Sequence, residues 1–194
     1  MSLATARSRA YNLLSAALGY PDQALWTALT DGSFTHALAE AMAEAAGERP
    51  ATLPLPDGTL ETLQASYVAA FDLGFGGNAR SLNEADHRAA ELRPDLLVEL
   101  KAFYRCFGLG IEGCTNGVDH LAVELEFMHY LAYHETPDED AARPYREAQR
   151  DFLARHLVDW VPVVAAVHDG RSFYGAILAI AARLIAADAA AQSS

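Results

Sequence analysis

Apolar positions along this chain recur every three to four residues and almost never alternate with polar ones, which is the spacing of amphipathic helices. The first such run spans 3–18 and stops at Gly19, after which Pro21 and Asp22 open a short successor. Ser33 is placed to cap a third helix through Ala46, ended by Gly47. Leu60, Leu63, Tyr67 and Phe71 share one face of a helix over 59–73. Asn83, with Asp86 three residues on, predicts a capped helix to Leu92, and Pro94-Asp95 opens another that ends at Gly108. A long helix is predicted over 118–135. The next starts near Pro144 and continues to about His168 with a bend at Pro162, and the last covers 172–190. Three prolines in 48–58 mark a linker, and 74–81 holds three glycines. The predicted fold class is all-α: one helical-bundle domain over 1–194, of about eight to ten helices, with the linker setting off a smaller N-terminal part.

Composition sharpens this picture. A chain of 194 residues, 52% hydrophobic, is long enough for one substantial core and too apolar to be disordered. The alanine-rich runs 37–46 and 179–191 favour closely packed helices. With 26 acidic against 14 basic residues the net charge is −12, which repels nucleic acid and anionic membrane. Such a surface suits a basic ligand, such as an arginine-bearing peptide, although acidity also serves plain solubility. Cys106 and Cys114 form neither a CxxC pair nor a zinc spacing and are expected as reduced thiols. Arg7 and Arg9 precede an apolar stretch, 11–20, that Asn12 and Ser15 interrupt, so it lacks a signal-peptide core. No run of eighteen apolar residues predicts a membrane span. A cytoplasmic protein is expected. No P-loop, GxGxxG or Gly-x-Ser-x-Gly occurs, and the glycines at 74–77 follow a helix instead of a strand. Neither an enzyme nor a cofactor is expected.

The predicted helix over 118–135 carries the most information. At 100° per residue, Leu121, Val123, Leu125, Phe127, Met128 and Leu131 form one apolar arc, opposite Asp119, Glu126, His129 and Tyr133. Glu124 falls inside that arc. A buried carboxylate needs a partner, so an arginine, histidine or backbone donor is expected beside it, either bracing the helices or binding a ligand. Asp119 and His120 stand at the helix start, where exposed groups can meet a ligand and where Asp119 also complements the helix dipole.

The stretch Asn116-Gly117-Val118-Asp119-His120-Leu121-Ala122-Val123-Glu124-Leu125-Glu126-Phe127-Met128 resembles the signature of the TorD/DmsD/NarJ group of redox-enzyme maturation chaperones, a Pro-Asp-His turn followed by Glu-Leu, an aromatic and Met. Val118 stands where that turn has proline. Phe152-Leu153 with His156-Leu157 and Trp160 is similar to the family's "FL..HL..W" helix, and Tyr67 with Phe71-Asp72-Leu73-Gly74 to its "Y...F" segment. The Phe-Asp-Leu-Gly form leans toward the branch serving nitrate reductases and their dimethylsulfide, selenate or ethylbenzene relatives. The resemblance covers roughly 59–174.

It implies a TorD-like helical chaperone, monomeric or homodimeric, that binds the twin-arginine leader peptide of the apo catalytic subunit of a molybdopterin oxidoreductase and delays export until cofactor insertion is complete. Such a leader needs an apolar groove edged by carboxylates. Tyr67 and Phe71 are the candidates for the groove; Asp72, Asp119 and Glu124 for meeting guanidinium groups; His120 for a hydrogen bond. His156 and Trp160 are expected to support the core behind the site. The rival reading is a carboxylate metal site on a helical bundle, using the Glu-x-x-His pairs Glu84/His87 and Glu126/His129. The polar-face position of Glu126 and His129 counts against it.

Overall fold

The computed structural model describes residues 2–55, 58–71, 80–110 and 116–192. Among these, nine α-helices follow in order: α1 (Leu3–Leu18), α2 (Gln23–Thr30), α3 (Ser33–Ala45), α4 (Leu60–Phe71), α5 (Arg93–Cys106), α6 (Leu121–Tyr133), α7 (Glu139–Phe152), α8 (Val161–Val167) and α9 (Phe173–Gln192). The all-α fold class is as expected. The described residues contain no strand, only an isolated antiparallel bridge between Asn83 and His120. Asp72, Cys114 and most of the glycine-rich stretch lie outside the described residues.

Local chemistry sets most boundaries. Ser2 caps α1 by accepting the Thr5 N–H, and Asp22 caps α2 through Leu25. Ser33 is not a cap but the first residue of α3. Gly32 takes the cap position at φ +80°, while the Asp31 carboxylate accepts the Ser33 N–H at 2.8 Å. The helix predicted from Pro144 begins earlier. Asp138 accepts from the N–H groups of Asp140 and Ala141, so α7 starts at Glu139 and carries Pro144 inside it. The predicted bend at Pro162 is instead a break. After α7 the chain forms a π segment, Leu153–Leu157, and α8 then starts afresh with Pro162 in its first turn. The helix predicted from Asn83 to Leu92 is replaced by two 3₁₀ turns, Glu84–His87 and Ala90–Leu92. Asn83 offers no side-chain cap there, and its neighbours pair with 119–121.

α1 lies along α6 and also packs on α3 and α9. Alanines at 6, 10 and 17 of α1 and 122 and 132 of α6 are buried, which lets the helix axes approach closely. The Ser15 hydroxyl donates to the Ala122 carbonyl at 2.7 Å, and Ser8 Oγ pairs with His129 Nδ1 at 2.8 Å. Arg7, almost buried, meets Asp188 at 3.0 Å and Glu135 at 3.5 Å, tying α1 to α9 and to the chain just past α6. α9 is long and apolar enough to cross a membrane. In this fold it is a core helix, with Phe173, Ile177, Leu178, Ala181, Leu184 and Ile185 buried.

Candidate functional site

Two turns clasp each other to form the centre of the site. The Leu121 N–H donates to the Leu82 carbonyl at 2.7 Å and the Glu84 N–H to the Asp119 carbonyl at 2.8 Å. The Asp119 carboxylate adds a third bond, accepting the Ala85 N–H at 3.2 Å. It therefore caps the 84–87 turn and, lying before the first residue of α6, is not part of that helix's first turn. Gly117 makes room for it, because a Cβ there would stand 2.8 Å from Asp119 Oδ1. From α5, the Tyr104 hydroxyl donates to the Val118 carbonyl at 2.8 Å.

His120 is the N-cap of α6: its Nδ1 accepts the Ala122 N–H at 3.2 Å. An accepting Nδ1 in a neutral ring puts the proton on Nε2. Nε2 faces the Tyr67 hydroxyl at 3.4 Å, and that hydroxyl donates in turn to the Leu18 carbonyl at 3.4 Å. The turn is thus tied to the aromatic group above it.

Tyr67 is the hub of that group. It meets Tyr20 (5.6 Å between centroids), Phe71 (5.0 Å) and Tyr174 (5.5 Å), all edge-to-face. Phe71 also touches Tyr174 and His168, each at 5.2 Å. Tyr67 is buried and Phe71 half-buried, while Tyr20 is 56% exposed, so the cluster runs from core to surface. Burial pushes the Tyr174 phenol well above its ordinary value and lowers the imidazole of His168, keeping both neutral. Gly175 keeps Tyr174 in place, since any side chain there would collide with the Asp169 carbonyl. Beside Tyr174 a cavity of about 230 Å³ opens between Leu55, Ala70 and Arg171.

Beneath the turn lies a charged layer that is nearly closed to solvent. Glu84 is fully buried. It accepts from Arg88 (Nη2 at 2.6 Å, Nε at 3.0 Å) and meets His156 Nδ1 at 3.0 Å. Glu124 is also fully buried, as its place in the apolar arc predicts. Its expected partner is absent among the described residues: neither carboxylate oxygen meets an arginine, histidine or backbone donor there. Burial, then the facing Glu84 carboxylate with which it shares a hydrogen bond, and then Asp119 raise its pKa well above the usual 4.5. The protonated form of Glu124 is therefore favoured in this layer. His156 reaches Glu84 from the π segment, and Trp160 Nε1 donates to the His156 carbonyl while its ring stacks on His87 at 5.0 Å. Both residues support the layer from behind, as expected.

The structure thus brings Tyr67, Phe71, Asp119, His120 and Glu124 into one region but at different depths. Asp119 and His120 are each 8% exposed, and Glu124 offers no surface to a ligand. Sequence reasoning missed Tyr20, Tyr174 and His168 around Tyr67, and Glu84 and Arg88 below it. A Tyr-Pro-Asp turn after α1 was the one available signal for Tyr20. The metal-site alternative does not assemble. Glu84 is committed to Arg88 and His156, His87 Nε2 to the Ser81 carbonyl, and Glu126 points outward. No group of three or more His, Cys, Asp or Glu suited to a metal occurs among the described residues.

A family described as nitrate reductase delta subunit matches residues 35–166. The chain is 35% identical to the perchlorate reductase assembly chaperone protein of Dechloromonas aromatica (strain RCB), over 93% of this chain and 87% of the relative. It is 37% identical to the dimethyl sulfide dehydrogenase assembly chaperone protein of Rhodovulum sulfidophilum, over 84% and 71%. It is 35% identical to the selenate reductase assembly chaperone protein of Thauera selenatis, over 78% and 71%.

Proposed function

The chain belongs to the nitrate reductase delta subunit family, and on that footing we propose that it is an assembly chaperone for a molybdopterin oxidoreductase. It acts in the cytoplasm on the apo catalytic subunit, holds that subunit's leader peptide while the cofactor is inserted, and delays twin-arginine export until then. It carries out no reaction of its own.

The observation that carries this reading is the aromatic cluster that surfaces at Tyr20 and Phe71 beside the acid–histidine turn. An apolar, helix-prone leader segment docks its large side chains against Tyr20, Phe71 and Tyr174, next to the opening at Leu55 and Ala70. Asp119 and His120, at the inner edge, and Asp72 receive the polar end of the segment. Glu124 lies too deep for contact and acts by holding the turn.

The test is calorimetric titration of the protein with synthetic leader peptides of family client subunits. Binding is expected with the arginine pair intact and to weaken when both arginines become lysine or alanine. Tyr20→Ala with Phe71→Ala should cost about 2 kcal/mol of binding, the scale of aromatic anchors, with helix content unchanged. Replacing Asp119 and His120 together by alanine removes a cap on each turn, so that variant is read alongside its melting temperature. Binding that survives loss of the aromatic pair would refute the assigned face.

A further inference from the structure

Among the described helices α8 alone carries no polar side chain: it is built of valine, alanine and proline. Val161, Val164 and, at the C-cap, His168 turn inward. Pro162, Val163, Ala166 and Val167 fall together on the opposite side and are all exposed, Val163 at 53% and Val167 at 39%. A helix at the surface ordinarily turns polar residues to water, and one that is apolar all round is ordinarily buried. α8 follows neither rule, since it is apolar all round and one side of it faces solvent.

Charge, size and position narrow what can cover this face. Before α8, Asp159 is met by Arg88 at 3.8 Å, and after it Asp169 is met by Arg171 at 3.2 Å, so the flanking acids are paired. An uncharged partner suits such a face. It is also short: 7 residues of helix run about 10 Å, and four small side chains fall well below the roughly 800 Å² per partner of a stable dimer. Its position ties it to the aromatic cluster. His168, next to Val167, is in ring contact with Phe71 at 5.2 Å, and Phe71 meets Tyr67 at 5.0 Å. The Tyr67 hydroxyl in turn stands 3.4 Å from His120 Nε2. From the acid–histidine turn the surface thus passes through aromatic rings to a side with no charge.

We propose that the outer face of α8 extends the leader-binding surface and takes the far part of the leader's apolar run, laid as a helix against Val163 and Val167, with the cationic end at the acid–histidine turn. Charge complementarity sets this order, because the acids stand at one end of the surface and α8 offers none at the other. Val163 and Val167, four residues apart, form one stripe against which side chains at helical spacing can pack. The identity of the occupant rests on the leader-peptide reading; what α8 adds is the direction in which the segment lies and the residues that meet its apolar end.

The experiment titrates protein labelled with ¹³C at its valine methyls with two synthetic peptides. One is the leader of a family client subunit; the other is the same leader with serine at the apolar positions farthest from its arginine pair. The Val163 and Val167 methyl resonances are expected to shift saturably with the first peptide and to stay in place with the second. Val163→Ser combined with Val167→Ser alters only exposed side chains, so helix content and melting temperature should hold. That variant should bind the first peptide about fivefold more weakly and the second within about twofold of wild type. Valine methyls unmoved by a leader that binds overturn the α8 assignment and leave the parent reading in place, as does a variant that binds the first peptide at full strength. Equal weakening of both peptides overturns it as well. A wild-type dimer in sedimentation that the variant disperses would make the face a contact between copies and also overturns it. Failure of the wild type to bind any leader removes the parent reading and the α8 assignment with it.

Discussion

Glu124 shows how one side chain couples the sequence pattern to a pH dependence. Its burial was legible in the sequence, because position 124 falls within the apolar arc of α6 and all residues on that arc must face the core. Its partner was not legible, since Glu84 reaches it only through the long-range pairing of two turns. That pairing puts two carboxyl groups together, and the result is a proton held by Glu124 well above the ordinary 4.5. The folded chain therefore binds more protons than the unfolded one in the range just above that value. The contribution of Glu124 to stability is fully present below about pH 4.5 and is lost as pH rises through its folded-state pKa. Glu124→Gln keeps the shape and the hydrogen bond to Glu84 without the titration. Melting curves of wild type and variant between about pH 5 and pH 9 should diverge, the variant gaining relative stability as pH increases. Parallel curves across that range would show that Glu124 is ionised in the fold.

At the scale of elements, helix existence was read well from periodicity and helix edges were read from caps, with errors where tertiary pairing or a second cap intervened. α1 came out as predicted because Ser2 and Gly19 bracket a clear run. The segment after Asn83 did not, because the pairing of 82–84 with 119–121 holds the chain extended there and leaves room only for 3₁₀ turns. Pro144 misled for the opposite reason: proline favours a first turn, yet Asp138 caps the chain six residues earlier and the helix tolerates the proline inside. A proline at that depth withholds an N–H from the carbonyl one turn back and crowds it. Pro144→Ala is therefore expected to stabilise the protein, by about 1–3 kcal/mol, read as a shift in the denaturation midpoint at unchanged slope. No gain, or a loss, would mean that α7 is held by its packing and by the Asp138 cap alone. The site followed the same division. Tyr67 and Phe71 were legible as one helical face, whereas Tyr20 and Tyr174 join them from helix ends far away in sequence, which no local period records.

For the molecule as a whole, the decisive quantity is the net charge of −12. A field of that sign draws a cationic segment toward the protein before any contact forms, and it is screened beyond roughly 8 Å at physiological salt. The aromatic face then fixes how long the segment stays, since edge-to-face contacts and apolar burial are insensitive to salt. Rate and lifetime should therefore separate. In stopped-flow measurements with a leader peptide, raising the salt concentration is expected to slow association severalfold and to leave dissociation nearly unchanged. A peptide with both arginines replaced by lysine keeps its charge and so keeps the salt dependence of association, while dissociating faster because lysine cannot satisfy the same acceptors. An alanine-substituted peptide should lose both the salt dependence and the lifetime. If the lysine and arginine peptides leave at the same rate, long-range attraction alone would account for the selectivity, and the buried acids and histidines would serve only to hold the helices in register.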